Sequence, residues 1–486
     1  MRTDSIYGRC KKILGQISQL AQLKHYISYI ENKLSRNPAP IPFSTACPVE
    51  QMGPLYVSAT PIHLLTGKPD PVSVLWTLTR SGDPLCVLLN FLLPKDKSIE
   101  IKNFEDAMKA QNLNQCKAQV YHTIMSCRTV LHWAETELFT ISELYQDDIA
   151  GFLKVLYTYE KLILLLIEKR VLVDDKIENN RKSVVSQKSA ISSQSENGHV
   201  NKVFSELLQT EKKYVKDLEK LLDYQIYVVK FNVLKPELVE ILFANLPALV
   251  DFQRRFSICT EILMDDQNDP DLKFRIGALF VQTESAFSVY DGFCKEYSRA
   301  IEIVDTESQS LSQANHLMEC AYELPSFLIK PIQRICKFPL LLNDIIKNSK
   351  LDEHNPLLKE LQLGLKSIKK ATDRVNEVKR KQDNLTVKED LEKRVEDWKG
   401  HDPSSFGDLL LNDKFEMLVN DSQRELIVYL FERIVLCVKE VQSTSVLRAF
   451  KQKSPPKSFF QIKGRIWIGN VSGVVNCSIK GIYKLM

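Results

Sequence analysis

The sequence predicts a mainly α-helical protein that carries several domains and ends in a small β-domain. Apolar residues recur every three or four positions through most of the first 384 residues, which is the period of an amphipathic helix. Beyond about residue 405, short β-branched and aromatic runs replace this period. The length of 486 residues suggests about three domains, and 44% hydrophobic residues are enough for several cores.

Composition and missing motifs exclude several classes of protein. The formal net charge of +4 is small for this length, so the chain as a whole is not a nucleic-acid binder. The 11 cysteines form no CxxC pair and no zinc-type spacing, and no signal-peptide core is visible, which indicates a reduced, cytoplasmic protein. The most apolar stretch, 156–173, is interrupted by charges and is predicted to be a buried helix. Because Walker A, HExxH and GxSxG sequences are absent, we expect no metal site, no cofactor and no catalytic residues.

The N-terminal part of the chain is predicted to hold one isolated helix and one all-helical domain. Residues 5–35 have a helical apolar spacing that ends at NPAPIPF (37–43). Residues 1–67 are therefore assigned to this helix and a proline-containing linker. Successive helical patterns then fill residues 68–173, which we assign to the helical domain.

The rest of the chain divides into a linker, a helical bundle and the β-domain. Residues 174–199 are rich in serine and asparagine and lack aromatics, which is typical of a flexible linker. Its serines are either a phosphorylated hinge or an ordinary feature of such linkers. Long helical patterns over 200–384 favour an elongated bundle. Residues 385–486 supply the strands, and because no closing helix is visible after them, this domain is predicted to be truncated.

Glu211 is an unusual residue in the first helix of the bundle, VFSELLQTEKKYVKDLEKLL (203–222). The apolar residues of this segment lie on one helical face, and Glu211 lies at the edge of that stripe. A carboxylate beside an apolar surface is costly to bury unless it meets a hydrogen-bond donor. Glu211 therefore either forms an internal ion pair with a neighbouring helix or is offered to a partner protein.

The segment FLIKPIQRICKFPLLL (327–342) combines core-type apolar residues with basic residues and two prolines. Three basic residues are spaced by four and three and would share one helical face: Lys330, Arg334 and Lys337. Pro331 is acceptable in the first turn of a helix, whereas Pro339 predicts a kink in the turn before it. On these residues alone, the segment is a kinked core helix with a solvated basic face.

Three stretches of this sequence resemble known domains. LLQTEKKYVKDL (207–218) and LPSFLIKPIQRICKFPLLLNDII (324–346) resemble the first and third conserved regions of the Dbl-homology domain, found in exchange factors for Rho GTPases. The β-domain that follows resembles the pleckstrin-homology domain of the same family. DPVSVLWTLTRSGDPLCVLLNFLLP (70–94) is similar to the start of a calponin-homology domain. The three domains in this order most resemble the fungal cell-division-cycle polarity exchange factors.

The resemblance implies a partner and a binding surface. The partner is a Rho-family small GTPase, whose nucleotide-free state the exchange factor stabilises without covalent chemistry. The residues that match the family's GTPase-binding positions are Glu211, Pro339, Asn343, Ile346 and Asn376. The residues expected to support this site are Lys330, Gln333 and Arg334. Asn343 departs from the family, which usually has Lys or Arg there, so one charge-assisted contact is lost unless a residue such as Lys347 replaces it.

The remaining expectations concern the flanking domains and the competing function. The basic residues Lys451, Lys453, Lys457, Lys463 and Arg465 either bind phosphoinositide headgroups or form a solvated loop region. The resemblance implies roles in cell polarity and actin organisation, in the cytoplasm and at the plasma membrane or cortex, and possible scaffold proteins as further partners. The alternative is a catalytically weak scaffold that binds a Rho GTPase or actin without exchange. A Glu211 sealed in the bundle by a salt bridge would favour this alternative. An enzyme that hydrolyses or binds nucleotides is a more distant third interpretation.

Overall fold

The computed structural model describes residues 4–36, 69–101, 104–105, 112–146, 148–173, 198–265, 269–419, 422–441 and 458–473. The chain divides into two units, Met1–Arg374 and Val375–Met486. In the described residues, the first unit is helical and all the strands lie in the second. The change of hydrophobic period along the sequence therefore predicted the fold class correctly.

The helices of the described residues are numbered here in chain order. Those of the N-terminal module are α1 (Ile6–Ile17), α2 (Ala21–Arg36), α3 (Pro71–Arg80), α4 (Asp83–Asn90), α5 (Leu113–Thr129), α6 (Ile141–Tyr145) and α7 (Ile149–Glu168). Those of the bundle are α8 (Gly198–Lys230), α9 (Pro236–Leu242), α10 (Leu246–Asp265), α11 (Ile276–Gln282), α12 (Val289–Thr306), α13 (Ser308–Leu311), α14 (Glu323–Leu328), α15 (Lys330–Asn348) and α16 (Pro356–Arg394). In the described part of the chain, none of these helices combines the length and apolarity needed to cross a bilayer.

The N-terminal helix predicted over residues 5–35 is two helices, α1 and α2, separated at Ser18–Leu20. Their apolar faces share one core with α3, α4, α5 and α7, so this segment packs as part of the helical domain. Trp76 anchors that core: its ring stacks on Phe152 at 4.4 Å, and its Nε1 donates to Leu144 O at 3.1 Å. A buried indole needs such an acceptor because its N–H otherwise loses its bond to water. The proline-containing linker predicted to follow the N-terminal helix lies at 37–67, outside the described residues. Of the linker predicted over 174–199, only 198–199 are described, and they begin α8.

Two turns explain how the module's helices begin. The Asp70 carboxylate accepts hydrogen bonds from Val72 N and Ser73 N, which caps α3. Gly82 separates α3 from α4 with φ of 85°, a left-handed conformation that favours glycine. A Cβ at Gly82 would also lie 2.7 Å from Cys116 O, so this position has room only for glycine.

The bundle is held together by an aromatic core and by one close backbone crossing. Phe256, Phe280, Phe287 and Phe338 come from four successive parts of the bundle, and their ring centroids are 5.2–6.0 Å apart.

Helices α11 and α16 approach each other most closely at two glycines. A Cβ at Gly277 would lie 2.4 Å from Glu360 O, and one at Gly364 would lie 2.5 Å from Gly277 O. Glycine is therefore required by space at this crossing. The backbones of the two helices are therefore in direct contact at this point.

The second unit contains a four-stranded antiparallel sheet in the order β1-β2-β3-β4. The strands are β1 (Leu409–Val419), β2 (Ser422–Phe431), β3 (Ile434–Val441) and β4 (Phe459–Trp467). One face of the sheet packs on Leu391 and Val395, at and just beyond the end of α16. The strands β2 and β3 are joined by a tight turn at Glu432–Arg433. The predicted truncation concerns residues from 474 onward, which lie outside the described part, and it stays a prediction.

Candidate functional site

Helices α8 and α15 run antiparallel and are joined by three ion pairs between a row of acids and a row of bases. Lys337 Nζ lies 3.0 Å from Glu206 Oε1, and Lys330 Nζ lies 2.9 Å from Asp217 Oδ2. Between them, Arg334 pairs with Glu211, with Nε at 3.0 Å from Oε2. We call these three pairs the ion-pair ladder. It explains the basic stripe of 327–342, which the sequence alone predicted to be a solvated face.

The central pair of the ladder is sealed inside the bundle. The Glu211 side chain is 0% exposed and that of Arg334 is 5% exposed. Gln253 Nε2 donates to the second carboxylate oxygen of Glu211, and Tyr290 OH donates to Gln253 Oε1 at 2.7 Å. Gln253 and Tyr290 are themselves fully buried. Both oxygens of the carboxylate are thus hydrogen-bonded within the protein, which is what a buried charge requires.

The direct contact between Glu211 and a GTPase that the resemblance implies stays a prediction. In the described conformation the carboxylate has no exposed surface to offer to a partner. The internal ion pair, which the residue pattern had left open, is what the structure contains. The physical reason is that Arg334 follows Lys330 by one helical turn, and this brings its guanidinium over the edge of the α8 apolar stripe.

Arg334 is held by more than its charge. Its Nη1 donates to Thr210 Oγ1 at 2.8 Å, and its guanidinium carbon lies 4.5 Å from the centroid of the Phe338 ring. Phe338 belongs to the aromatic core, so the cation is in contact with the centre of the bundle. Arg334 and Lys330 therefore brace α15 against α8, and the role predicted for them in supporting a GTPase site stays a prediction. Gln333 is exposed and adds no described contact to this brace.

Pro339 lies inside the continuous helix α15, and the helical break falls earlier, at Ile329. Proline has no N–H, so it cannot donate to the carbonyl of Ile335, four residues before it. The Thr372 hydroxyl, which donates to Ile368 O at 2.8 Å, also lies 3.3 Å from Ile335 O. This second contact partly replaces the bond that Pro339 removes.

The surface of α15 near Pro339 combines apolar and amide groups. Leu340 is 64% exposed, a large fraction for a leucine in the middle of a helix. Pro339, Asn343 and Ile346 are half-buried beside it. We call these four residues the α15 face. The sequence analysis did not single out Leu340, because it lies in the apolar run PLLL. A helical projection that places Leu341 and Leu342 in the core would have placed Leu340 on the solvent-exposed side of α15.

The other predicted site residues are only partly described. Asn376 is exposed on α16, in the second unit, so its predicted convergence with Glu211 on one surface stays a prediction. Lys463 and Arg465 are exposed on β4. Lys451, Lys453 and Lys457 lie outside the described residues. In the described part of the chain, no cluster of three or more histidine, cysteine or acidic side chains could hold a metal ion.

Three parts of the chain match known domain families. Residues 203–376 match the RhoGEF domain, residues 70–163 match the CDC24 calponin domain, and residues 404–486 match a pleckstrin homology domain. The first of these matches contains every residue of the ion-pair ladder and of the α15 face. The sequence resemblances are thus confirmed for all three domains.

Two curated fungal proteins are similar to most of this chain. The Rho guanine nucleotide exchange factor scd1 of Schizosaccharomyces pombe is 35% identical over 429 residues, which are 86% of this chain and 47% of that protein. Cell division control protein 24 of Saccharomyces cerevisiae is 34% identical over 384 residues, which are 76% of this chain and 43% of that protein. The chain thus spans about half the length of these relatives. Among solved structures, a complex of human RhoA with the DH/PH domain of human ARHGEF11 is similar at 21% identity, with a TM-score of 0.44, over 57% of this chain and 79% of that one.

Proposed function

We propose that this chain, which contains a CDC24 calponin domain, a RhoGEF domain and a pleckstrin homology domain, is a guanine-nucleotide exchange factor for a Rho-family small GTPase. The observation that carries the proposal is the RhoGEF match over residues 203–376, supported by two fungal relatives at 34–35% identity. Such a protein accelerates nucleotide release by binding the nucleotide-free GTPase most tightly. No covalent bond is made or broken in this process.

The α15 face is the surface that we assign to the GTPase. Leu340, Pro339 and Ile346 offer apolar area, and Asn343 offers an amide that both donates and accepts hydrogen bonds. An exposed apolar patch on a helical bundle is a common sign of a protein interface. Asn376 on α16 is a further proposed contact with the GTPase, separate from the α15 face.

Glu211 and Arg334 have a different part in this proposal. Because their charges are satisfied inside the bundle, they hold α8 and α15 in register, and the α15 face keeps its shape. Exchange requires the GTPase switch segments to be moved by a surface that does not itself give way. We therefore assign Glu211 a bracing role, and the contact surface is carried by the exposed residues of α15.

The pleckstrin homology domain fits a phosphoinositide surface. Lys463 and Arg465 are exposed two positions apart on β4, so both can reach one anionic headgroup region. Recruitment to the plasma membrane or cortex would bring the exchange domain to lipid-anchored GTPases. The likeness to fungal polarity proteins supports a role in cell polarity and actin organisation.

The decisive experiment is release of a fluorescent guanine nucleotide from a panel of Rho-family GTPases, using the full chain. We expect at least one GTPase to respond. We also expect Leu340→Ala to reduce its kcat/KM about tenfold, because a leucine that becomes buried against the GTPase contributes most of its transfer free energy to binding, and alanine loses that contribution. Leu164→Ala is the matched control, since Leu164 is a leucine on α7 that is 42% exposed and lies outside the RhoGEF match. Equal rates for the two variants would remove the α15 face from the proposal.

One observation favours the scaffold function as a second candidate. The sealed Glu211 means that a residue expected to grip the GTPase is not available in this conformation. A scaffold would bind the GTPase in a pull-down but leave its nucleotide release rate unchanged. If no GTPase in the panel either binds or responds while the chain is folded, both functions are excluded for that panel.

A further inference from the structure

Helix α1 lies between the N-terminal module and the bundle and contacts both. Its apolar residues Ile6, Cys10 and Ile13 are buried in the core of the module. That same core includes Ile258, which comes from α10 of the bundle. On its other side, Arg9 binds Glu160 of α7 through two hydrogen bonds of 2.7 and 3.0 Å. The first turns of α1 therefore connect the N-terminal module to the bundle within the first unit.

A small group of polar contacts fastens α1 to α10. Ser5 Oγ donates to Glu261 Oε2 at 2.6 Å, and Tyr7 OH donates to Asp265 Oδ2 at 2.6 Å. Lys11 Nζ lies 2.5 Å from the same Asp265 oxygen. We call these five residues the α1 clasp. Both acids are on one face of α10, since they are four residues apart.

Glu261 connects the clasp to the helix that carries the ion-pair ladder. It is 4% exposed, and Lys212 Nζ of α8 lies 2.8 Å from its Oε2. Burial raises the pKa of the Glu261 carboxyl, although hydrogen bonds from Lys212 and Ser5 oppose that rise. Lys212 directly follows Glu211 in the chain. A change at Ser5 is thus two contacts away from α8, the helix that carries the acids of the ion-pair ladder.

The clasp has little tolerance for added negative charge. The groups that line the pocket around Ser5 include three carboxylates, Asp4, Glu261 and Asp265, and two ammonium groups, Lys11 and Lys212. These five groups carry a formal charge of −1, and one of the carboxylates, Glu261, is hydrogen-bonded directly to Ser5 Oγ. A phosphoryl group adds about −1.5 to −2 and also removes the hydroxyl hydrogen that Ser5 gives to Glu261. The N-terminus of α1 favours an anion, but a carboxylate at hydrogen-bond distance faces the same oxygen.

We propose that Ser5 is a phosphorylation site and that its modification opens the α1 clasp, separating the N-terminal module from α10. Ser5 is partly exposed, whereas Tyr7 is buried, so Ser5 is the more accessible hydroxyl of the clasp. In the modification, a bond forms between Ser5 Oγ and the γ-phosphorus of ATP. The bond from that phosphorus to the β–γ bridging oxygen breaks, ADP leaves, and the hydroxyl proton passes to a base of the kinase.

The test uses the full chain with phosphoserine incorporated at position 5 by genetic code expansion. Amide hydrogen exchange is followed in α1 and in the last two turns of α10, and compared with unmodified protein and with Ser5→Ala. We expect phosphoserine to accelerate exchange about tenfold or more in both segments, because local opening governs their exchange. Ser5→Ala removes the hydrogen bond to Glu261 and the N-cap bond from Gly8 N but adds no charge, and we expect a change of about fivefold or less. Phosphoserine at Ser35, which is exposed on α2, is the control for added charge.

A second variant separates repulsion at the clasp from general unfolding. Glu261→Gln in the chain with phosphoserine 5 removes the facing carboxylate, and we expect it to restore most of the lost protection. The proposal is overturned if phosphoserine and Ser5→Ala give equal exchange, or if Glu261→Gln restores nothing. It is also overturned if protection is lost equally in α3, since the module would then be unfolding as a whole. These readouts use no GTPase and do not depend on the proposed exchange activity.

Discussion

Replacing Arg334 with methionine should destabilise the bundle far more than an ordinary surface change. The substitution keeps an unbranched apolar stem but removes the cation from Glu211, whose side chain is fully buried. Breaking a buried ion pair by removing one partner costs about 3–5 kcal/mol, because the remaining charge stays uncompensated. Glu211 keeps only its hydrogen bond from Gln253. Thr210 also loses its hydrogen bond from the guanidinium.

Two comparison variants turn this estimate into a measurement of the buried charge. Lys337→Met removes an outer pair of the same ladder, whose side chains are 44% and 51% exposed, and should cost about 0–1 kcal/mol. The double variant Arg334→Met with Glu211→Leu removes both charges. It should recover most of the loss, because apolar replacement of a buried pair is often near neutral.

The assay is amide hydrogen exchange of α8 and α15 as a function of urea concentration in the full chain. Tryptophan fluorescence is unsuitable because the four tryptophans, Trp76, Trp133, Trp398 and Trp467, all lie outside α8–α15. The chain also has two units, so a single global unfolding transition is not expected. If Arg334→Met costs no more than Lys337→Met, or if the double variant is as unstable as the single one, the buried ion pair is not what holds these helices together.

Three further outcomes follow from the structure. Asn343→Lys should raise the rate of nucleotide release by the full chain, because it restores a charge at the α15 face; an unchanged or lower rate would show that the amide itself makes the contact. Gly277→Ala should destabilise the bundle by about 1–3 kcal/mol in urea-dependent hydrogen exchange, because its Cβ meets the Glu360 carbonyl, whereas Gly15→Ala meets nothing and should stabilise α1 by about 0.5–1 kcal/mol. Burial raises the pKa of Cys86 to about 11, so alkylation of Cys86 in the folded chain at pH 8 should be much slower than in urea and should speed up as pH rises; equal rates would mean that the thiol is not buried.

The spacing of apolar residues along the sequence predicted the type of each element, helix or strand. The helical spacing of 203–222 and the β-branched runs after residue 405 indicated the correct element types, because each pattern is contained within one element. The single helix predicted over residues 5–35 is broken at Ser18–Leu20, where no proline or glycine marks the break. The point at which α1 ends depends on how α1 and α2 pack against the other helices of the module, and the sequence of one segment does not contain that information.

The residues of the ion-pair ladder could be singled out from the sequence, but their partners could not. The sequence marked Glu211 and the Lys330–Arg334–Lys337 stripe as unusual, and these residues are members of the ladder. It could not show that they bind each other, because Glu211 and Arg334 are 123 residues apart and no local pattern spans that distance. The direct GTPase contact expected of Glu211 came from resemblance, and the geometry of this chain places the carboxylate inside.

The long separation of the ladder's two helices also sets an order of events during synthesis. Helix α8 leaves the ribosome with its acids unpaired, and the bases that neutralise them follow more than a hundred residues later. At about 5–20 residues per second, that interval is several seconds. During it, Glu211 has no cation to pair with and only water and the Gln253 amide as partners, so the buried ion pair cannot form. A nascent chain that stops before α15 should therefore remain open at this point, exposed to chaperones and proteases, until the arginine arrives.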